Sequence, residues 1–199
     1  MEFEDIKGIN ELFRPLYPYI AKQVVQEYGR REGSALEVGP YAPGISVELI
    51  KLLPDLKIIV GDDSPQTNDY IKGYLAEAGL SDKIELREID KFNLPFEEGS
   101  FDLVYFRGAL FFWEEADRIV KEAHRVLKAG GLALLGGGFG AEAPDELINR
   151  IVEGSRELNR RLGKATLTSE MARRIVERTG LAEKAKLDQR HGLWIVVRK

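Results

Sequence analysis

The last seventeen residues, 183–199, constrain the fold most. Two runs, EKAKLDQR (183–190) and LWIVVRK (193–199), read as strands separated only by His191 and Gly192. So short a connection joins antiparallel neighbours, because a parallel pair needs a crossover of a dozen residues or more. Upstream the pattern is different. Strand-like runs SALEVG (34–39), KIIVGD (57–62), KIELREID (83–90), FDLVYF (101–106) and LALLGG (132–137) are interspersed with helical patterns. Those patterns are ISVELIKLL (45–53), SPQTNDYIKGYLAEAG (64–79) and WEEADRIVKEAHRVLKAGG (113–131). Such alternation predicts a parallel sheet with helices on both faces, here closed by one reversed strand.

Before the first strand, residues 9–31 carry apolar side chains at helical spacing (Ile9, Leu12, Phe13, Leu16, Ile20, Val24, Val25, Tyr28), with Pro15 and Pro18 bending or restarting the helix. Two more helices, 145–162 and 169–180, precede the hairpin. Ser64 is placed to cap its helix, with Pro65 in the first turn and Gly79 at the end. A chain of 199 residues without repeats or low-complexity linkers is expected to form one domain. Its parts are a helical cap (1–31), a core (34–140) and a C-terminal region of helices and hairpin (141–199).

Composition removes several chemistries. There is no cysteine, hence no disulfide, thiolate nucleophile or cysteine-held zinc. The only histidines, His124 and His191, lie far apart, so no metal site is expected. The acidic, polar start and the lack of a long apolar run lead to the expectation of a cytoplasmic protein that does not enter a membrane. Net charge is −4, but residues 145–199 hold 13 Lys and Arg against 8 Asp and Glu. That basic third is either a solvated helix face or a polyanion-binding patch.

Ligands of open parallel sheets bind beyond the carboxyl ends of the strands, near the switch in strand order. The residues there are Glu37 to Gly44, Asp62 and Asp63, Asp90, Arg107 and Gly108, and Gly136 to Gly140. Gly39 lets backbone approach a ligand closely, and its turn feeds the positive end of a helix. Asp62 is placed to accept both hydrogen bonds of a ribose diol, and Asp90 to accept from an adenine amine. Glu37 would repel a pyrophosphate but attract an ammonium or sulfonium. This points away from NAD, for which G-x-G-x-x-G is also lacking, and toward S-adenosylmethionine.

The segments LEVGPYAPGISVELIK, VGDDSP, IDKFNLPFEEGSFDLVYFRGALFFW and EAHRVLKAGGLALLGGGFG together resemble the class I S-adenosylmethionine-dependent methyltransferases, in particular the small enzymes similar to those of ubiquinone and menaquinone synthesis. The resemblance runs from about residue 34 to 140. It implies an α/β, Rossmann-like, seven-stranded and mostly parallel sheet with an antiparallel last strand, helices on both faces and an N-terminal helical cap. It implies S-adenosyl-L-methionine as cofactor and S-adenosyl-L-homocysteine as product. Glu37 and Gly39, with Pro40 and Tyr41, would lie near the methionine end; Asp62 would bind the ribose beside Asp63 and Ser64. Asp90 would hold the adenine amine with Lys91 and Phe92 along the ring, and Arg107 and Gly108 would form the floor beside the methyl group. The family's later loop glycines fall on Tyr41 and Pro43. The Tyr41 ring is expected to point to the pocket mouth and cover part of the ligand.

Methyl transfer from a sulfonium is an in-line displacement, so alignment and desolvation can supply much of the rate without a dedicated base. The sequence accordingly shows no obvious catalytic dyad. FRGA after the fourth strand replaces the Asn/Asp-Pro-Pro-aromatic motif of amine and amide methylation. Phe111, Phe112 and Trp113 either pack as core or wall an apolar acceptor pocket. Tyr17, Tyr19, Gly138 and Phe139 are further acceptor-side candidates, and His191 is the candidate base. The expected partner is a small-molecule acceptor. RNA or protein methylation and non-catalytic cofactor binding are the alternatives, and oligomeric state is not read from the sequence.

Overall fold

The computed structural model describes residues 2–161 and 168–199. Its seven strands are β1 (Glu32–Val38), β2 (Asp55–Gly61), β3 (Ile84–Leu86), β4 (Phe101–Arg107), β5 (Leu127–Gly136), β6 (Ala185–Asp188) and β7 (Trp194–Arg198), joined in the order β3-β2-β1-β4-β5-β7-β6. Strand β7 runs antiparallel to both neighbours, and every other pair is parallel. The reversed strand therefore lies inside the sheet, which is the mixed architecture expected.

Period-two alternation sorts the central strands between two cores. Ala35, Leu103, Tyr105, Leu134 and Val196 face one side, against helices α1 (Phe3–Phe13), α2 (Tyr17–Tyr28), α3 (Gly44–Leu52) and α4 (Pro65–Glu77). Leu36, Val104, Phe106, Leu135 and Ile195 face the other, against α5 (Ala116–Val126) and α7 (Ser169–Thr179). Helix α6 (Asp145–Arg161) joins the first side through buried Ile151. Residue 162, the expected end of this helix, lies outside the described residues.

The local signals act where their chemistry requires. Pro15 sits in a 3-10 turn, Arg14–Leu16, that separates α1 from α2, while Pro18 occupies the first turn of α2. The Ser64 hydroxyl accepts from Thr67 N at 3.3 Å and caps α4. Three boundaries differ from expectation. The helix expected over 113–131 is only α5, and the glycines taken as its stop lie in β5. There the register with β4 shifts between Phe101 and Leu103, and Gly130 has φ +74°, so these glycines serve a bulge. The third strand is regular only over 84–86, although Arg87 N and Ile89 N still bond to β2 carbonyls or the residue after it, at 3.0 and 3.2 Å. The hairpin connection is residues 189–193 rather than two residues, because the Asp188 carboxylate accepts from Arg190 N at 3.0 Å and starts the turn early.

Ile195, fully buried in β7 between β5 and β6, tests the position of the reversed strand. Ile195→Ala should lower the unfolding free energy by about 2–5 kcal/mol. Urea denaturation measures this, and a change below about 1 kcal/mol would place the residue outside a packed core.

Candidate functional site

The strand order reverses between β1 and β4, so the loops that leave these strands lie side by side. Gly39 follows β1 at φ +102°, and a Cβ on it would stand 2.2 Å from the Phe106 ring. The loop 39–43 is held from above by the helical cap. Asn10 Nδ2 donates to Pro40 O at 3.3 Å, and Tyr17 OH donates to Asn10 Oδ1 at 2.6 Å. Asn10 was missed in the sequence; its signal is a lone amide on the buried stripe Ile6, Ile9, Phe13. The Tyr41 ring does not point to a pocket mouth. It is buried, 2.6 Å from where a Cβ on Gly108 would stand and edge-to-face with Phe111 at 5.9 Å. Lacking a side chain, Gly108 admits the ring to the β1–β4 seam, and burying that aromatic surface outweighs leaving it in the open loop.

Beneath this loop, Glu37 is buried at the end of β1. Its Oε2 accepts from Ser46 N at 3.0 Å and from the Ser46 hydroxyl, which lies 2.7 Å from Tyr105 OH. With its proton given to Glu37, Ser46 Oγ accepts from Tyr105, so one chain of bonds joins β1, the first turn of α3 and β4. Burial pushes the Glu37 carboxyl up to about 7, against the Ser46 donors and the Arg107 charge.

At the tip of β2, Asp62 is buried and its Oδ1 accepts from Ser64 N at 3.0 Å. Its Oδ2 is buried without a hydrogen-bond partner among the described residues. Asn68, a second residue missed in the sequence, holds the Asp62 backbone at both ends, with bonds of 3.1 and 2.8 Å. Burial raises the Asp62 carboxyl to about 6, opposed by the nearby Lys91. Lys91 is itself buried; its ammonium pairs with the Asp63 carboxylate and lies 5.1 Å from the Phe112 ring centroid and 5.5 Å from that of Phe92. Asp90 is exposed and accepts from Phe92 N at 2.8 Å.

Beyond β4, β5 and the hairpin turn opens a cavity of about 500 Å³. Ile9, Phe13, Phe111 and Phe139 give it apolar walls, and the buried Arg107 lies among them. Phe139 stacks on Phe13 at 5.9 Å. Gly138 is required because a Cβ there would meet Trp194 Nε1 at 1.7 Å. The three consecutive aromatics separate: Phe111 lines the cavity, Phe112 packs with Phe92 and Phe106, and Trp113 is 41% exposed. Tyr17 is buried on Asn10, and half-buried Tyr19 lies apart, under Lys22. His191 sits in the hairpin turn at φ +51° with Nε2 3.4 Å from Asp145, flanked by cavity-lining Gln189 and Gly192. Among the described residues no cluster of three or more metal-ligating side chains occurs, and no helix is long and apolar enough to cross a membrane.

A family model described as a methyltransferase domain matches residues 36–135. Sterol 24-C-methyltransferase of Pneumocystis carinii is 32% identical over 105 residues, covering 52% of this chain and 28% of that protein. The chloroplastic 2-methyl-6-phytyl-1,4-hydroquinone methyltransferase 1 of Oryza sativa is 28% identical over 100 residues, covering 50% and 29%. The chain thus spans less than a third of the length of these curated relatives. Among solved structures, a Methanococcus maripaludis protein, itself only provisionally assigned as S-adenosyl-L-methionine-dependent methyltransferase, superposes with a TM-score of 0.83 at 29% identity, over 100% of this chain and 94% of that one.

The Glu37 shift yields a stability test. The native state keeps a proton that the unfolded chain releases at the ordinary 4.5, so this contribution is full below that value and disappears as pH rises through about 7. Denaturation of wild type and Glu37→Gln between pH 4 and 8 should show wild type losing roughly 3 kcal/mol relative to the variant, at 1.36 kcal/mol per pH unit. The other titrating groups are common to both proteins and cancel. A difference that stays flat across this range would refute the assignment.

Proposed function

The chain belongs to the methyltransferase-domain family, and on that premise we propose that it transfers a methyl group from S-adenosyl-L-methionine to a small-molecule acceptor, leaving S-adenosyl-L-homocysteine. The observation that carries the reading is the buried Asp62 Oδ2 with no partner among the described residues, at the tip of β2 and close to the strand-order reversal. An unpartnered buried carboxylate oxygen costs free energy unless a ligand donates to it, and a ribose diol supplies that donor. The Gly39 backbone, at φ +102°, turns the loop across the end of β1, where the same ligand would lie. The residues present therefore fit the group.

Bound there, the cofactor supplies an electrophilic methyl on a sulfonium whose leaving group is a neutral thioether. The chain's own part is binding and alignment. Asp62 accepts from the ribose, with Ser64 and Asn68 fixing its orientation and Asp63 and Lys91 alongside. Phe92 lines the purine ring, and Asp90, at the open edge, accepts from its amine. Glu37, Gly39, Pro40 and Tyr41 bound the methionine end; Glu37 places negative charge near the cofactor's cationic groups, and Gly108 leaves room beside the methyl. Phe111 and Phe139 exclude water on the acceptor side. His191 stays the proposed base, supported by its place in the turn whose neighbours line the cavity.

The names of the sterol and hydroquinone relatives support a small-molecule acceptor. The basic third lends less support to a nucleic-acid substrate, since Arg160, Arg174, Arg178 and Arg190 are paired with Glu157, Glu170, Asp117 and Asp188. On this reading residues 1–199 form one domain of cap, core and C-terminal region, and composition supports a cytoplasmic location.

Calorimetry with S-adenosyl-L-homocysteine should show binding at micromolar concentration. Asp62→Ala should weaken it tenfold or more, the loss of a hydrogen bond to a charged group. No binding at high micromolar concentration would overturn the reading. Incubation of labelled S-adenosyl-L-methionine with fractionated cell extract should then place label in small molecules. Label confined to nuclease- or protease-sensitive material would transfer the proposal to a macromolecular substrate, and binding without any transfer would make the chain a cofactor-binding protein.

A further inference from the structure

The Arg107 guanidinium is an anomaly in the cavity it lines. The residue is 3% exposed, and its Nε and Nη1 are buried with no hydrogen-bond partner among the described residues. Its faces are occupied: the guanidinium carbon lies 3.8 Å from the Phe13 ring centroid and 5.4 Å from that of Tyr41. Stacking satisfies the faces of a guanidinium but leaves its edge, where all five N–H donors lie in one plane. Arginine stays protonated even when burial disfavours the charge, so this edge remains a cation. Glu37 is the acidic group whose charge bears on it, but that carboxylate is already taken up by Ser46. A buried cation without an acceptor is strongly unfavourable, and proteins keep one chiefly where a ligand completes it.

The surroundings narrow that ligand. Arg107 lines a cavity of about 500 Å³ whose walls include Ile9, Phe13, Leu110, Phe111 and Phe139. A small inorganic anion would leave this apolar surface unused. A planar oxyanion on an apolar body would satisfy both, since the fork of a guanidinium matches a carboxylate with two parallel hydrogen bonds. We infer that the acceptor of this enzyme is an apolar molecule bearing a carboxylate or comparable oxyanion, and that the Arg107 side chain is its counter-ion and specificity determinant. The inference rests on the methyltransferase reading for the word acceptor, but the anion site stands on the cavity itself.

The test uses 1-naphthoate and its neutral isostere 1-naphthamide as probes, titrated calorimetrically into the full chain with and without saturating S-adenosyl-L-homocysteine. The naphthoate should bind at least tenfold more tightly than the amide, and should do so equally in the presence of S-adenosyl-L-homocysteine. In Arg107→Met the naphthoate should lose at least tenfold in affinity while the amide changes by less than about threefold, which also reports that the cavity is intact; Arg107→Lys should keep part of the preference. Should the Met variant not fold, the wild-type preference and the Lys variant decide. Equal affinity for the two probes, or no naphthoate binding at millimolar concentration, overturns the inference. So does competition between naphthoate and S-adenosyl-L-homocysteine, which would assign the guanidinium to the cofactor's own carboxylate. Failure of S-adenosyl-L-homocysteine to bind while the naphthoate preference persists would instead refute the methyltransferase reading and leave the anion site standing.

Discussion

A buried carboxylate holds the centre of this molecule. Glu37 ends β1 out of water, where its charge is disfavoured, and the fold answers with the amide and hydroxyl of Ser46 and, behind them, the Tyr105 hydroxyl. Because these three residues come from β1, the first turn of α3 and β4, the bonds fix the angle at which α3 leaves the sheet and the separation of the two strands where their order reverses. The loop 39–43 has its path set from below by this arrangement and from above by Asn10 on the cap. Moving α3 would leave the carboxylate without its Ser46 donors in a low-dielectric interior, and moving β4 would remove the Tyr105 hydroxyl behind them, which is what makes the arrangement specific.

The seam that results is filled by aromatic surface. Tyr41 lies in the space left by the missing side chain of Gly108, and Phe111 packs on its edge. The tyrosine in the loop sequence thereby acquires a structural account: the ring closes the gap between two diverging loops and offers one face to Arg107. Pairing Tyr41 with Gly108 exchanges side-chain volume across the seam, large on one loop and absent on the other.

Much of this was legible in the sequence because it depends on local signals. The period-two strands, the Ser64 cap, the two prolines of the cap and the forced hairpin each carry their own short-range chemistry, and the mixed sheet follows from their order. The strand-end positions of Glu37, Asp62 and Arg107 were legible for the same reason, whereas Asp90 lies four residues past the short β3. What could not be read depends on contacts between distant segments. Whether the Tyr41 ring is out or in depends on the residue at position 108; whether a Gly-Gly pair ends a helix or bulges a strand depends on the neighbouring β4. Asn10 and Asn68 act through partners 30 and 6 residues away, and spacing alone announces neither. Nor does spacing separate Phe111, Phe112 and Trp113, which the 3-10 turn sends to three different environments.

The two buried charges near the strand-order reversal differ in how far the protein itself satisfies them. Glu37 has hydrogen-bond donors from its own chain, so the fold supports it. Among the described residues Arg107 has aromatic faces and no hydrogen-bond partner for Nε and Nη1, and such faces compensate a guanidinium's charge only weakly. A negative pole at the β1 end and a positive pole in the acceptor cavity suit a reaction in which a cationic donor meets an anionic or electron-rich acceptor. In the proposed reaction each charge would attract one reactant and repel the other, so the same pair would order the two ligands and keep them from exchanging places.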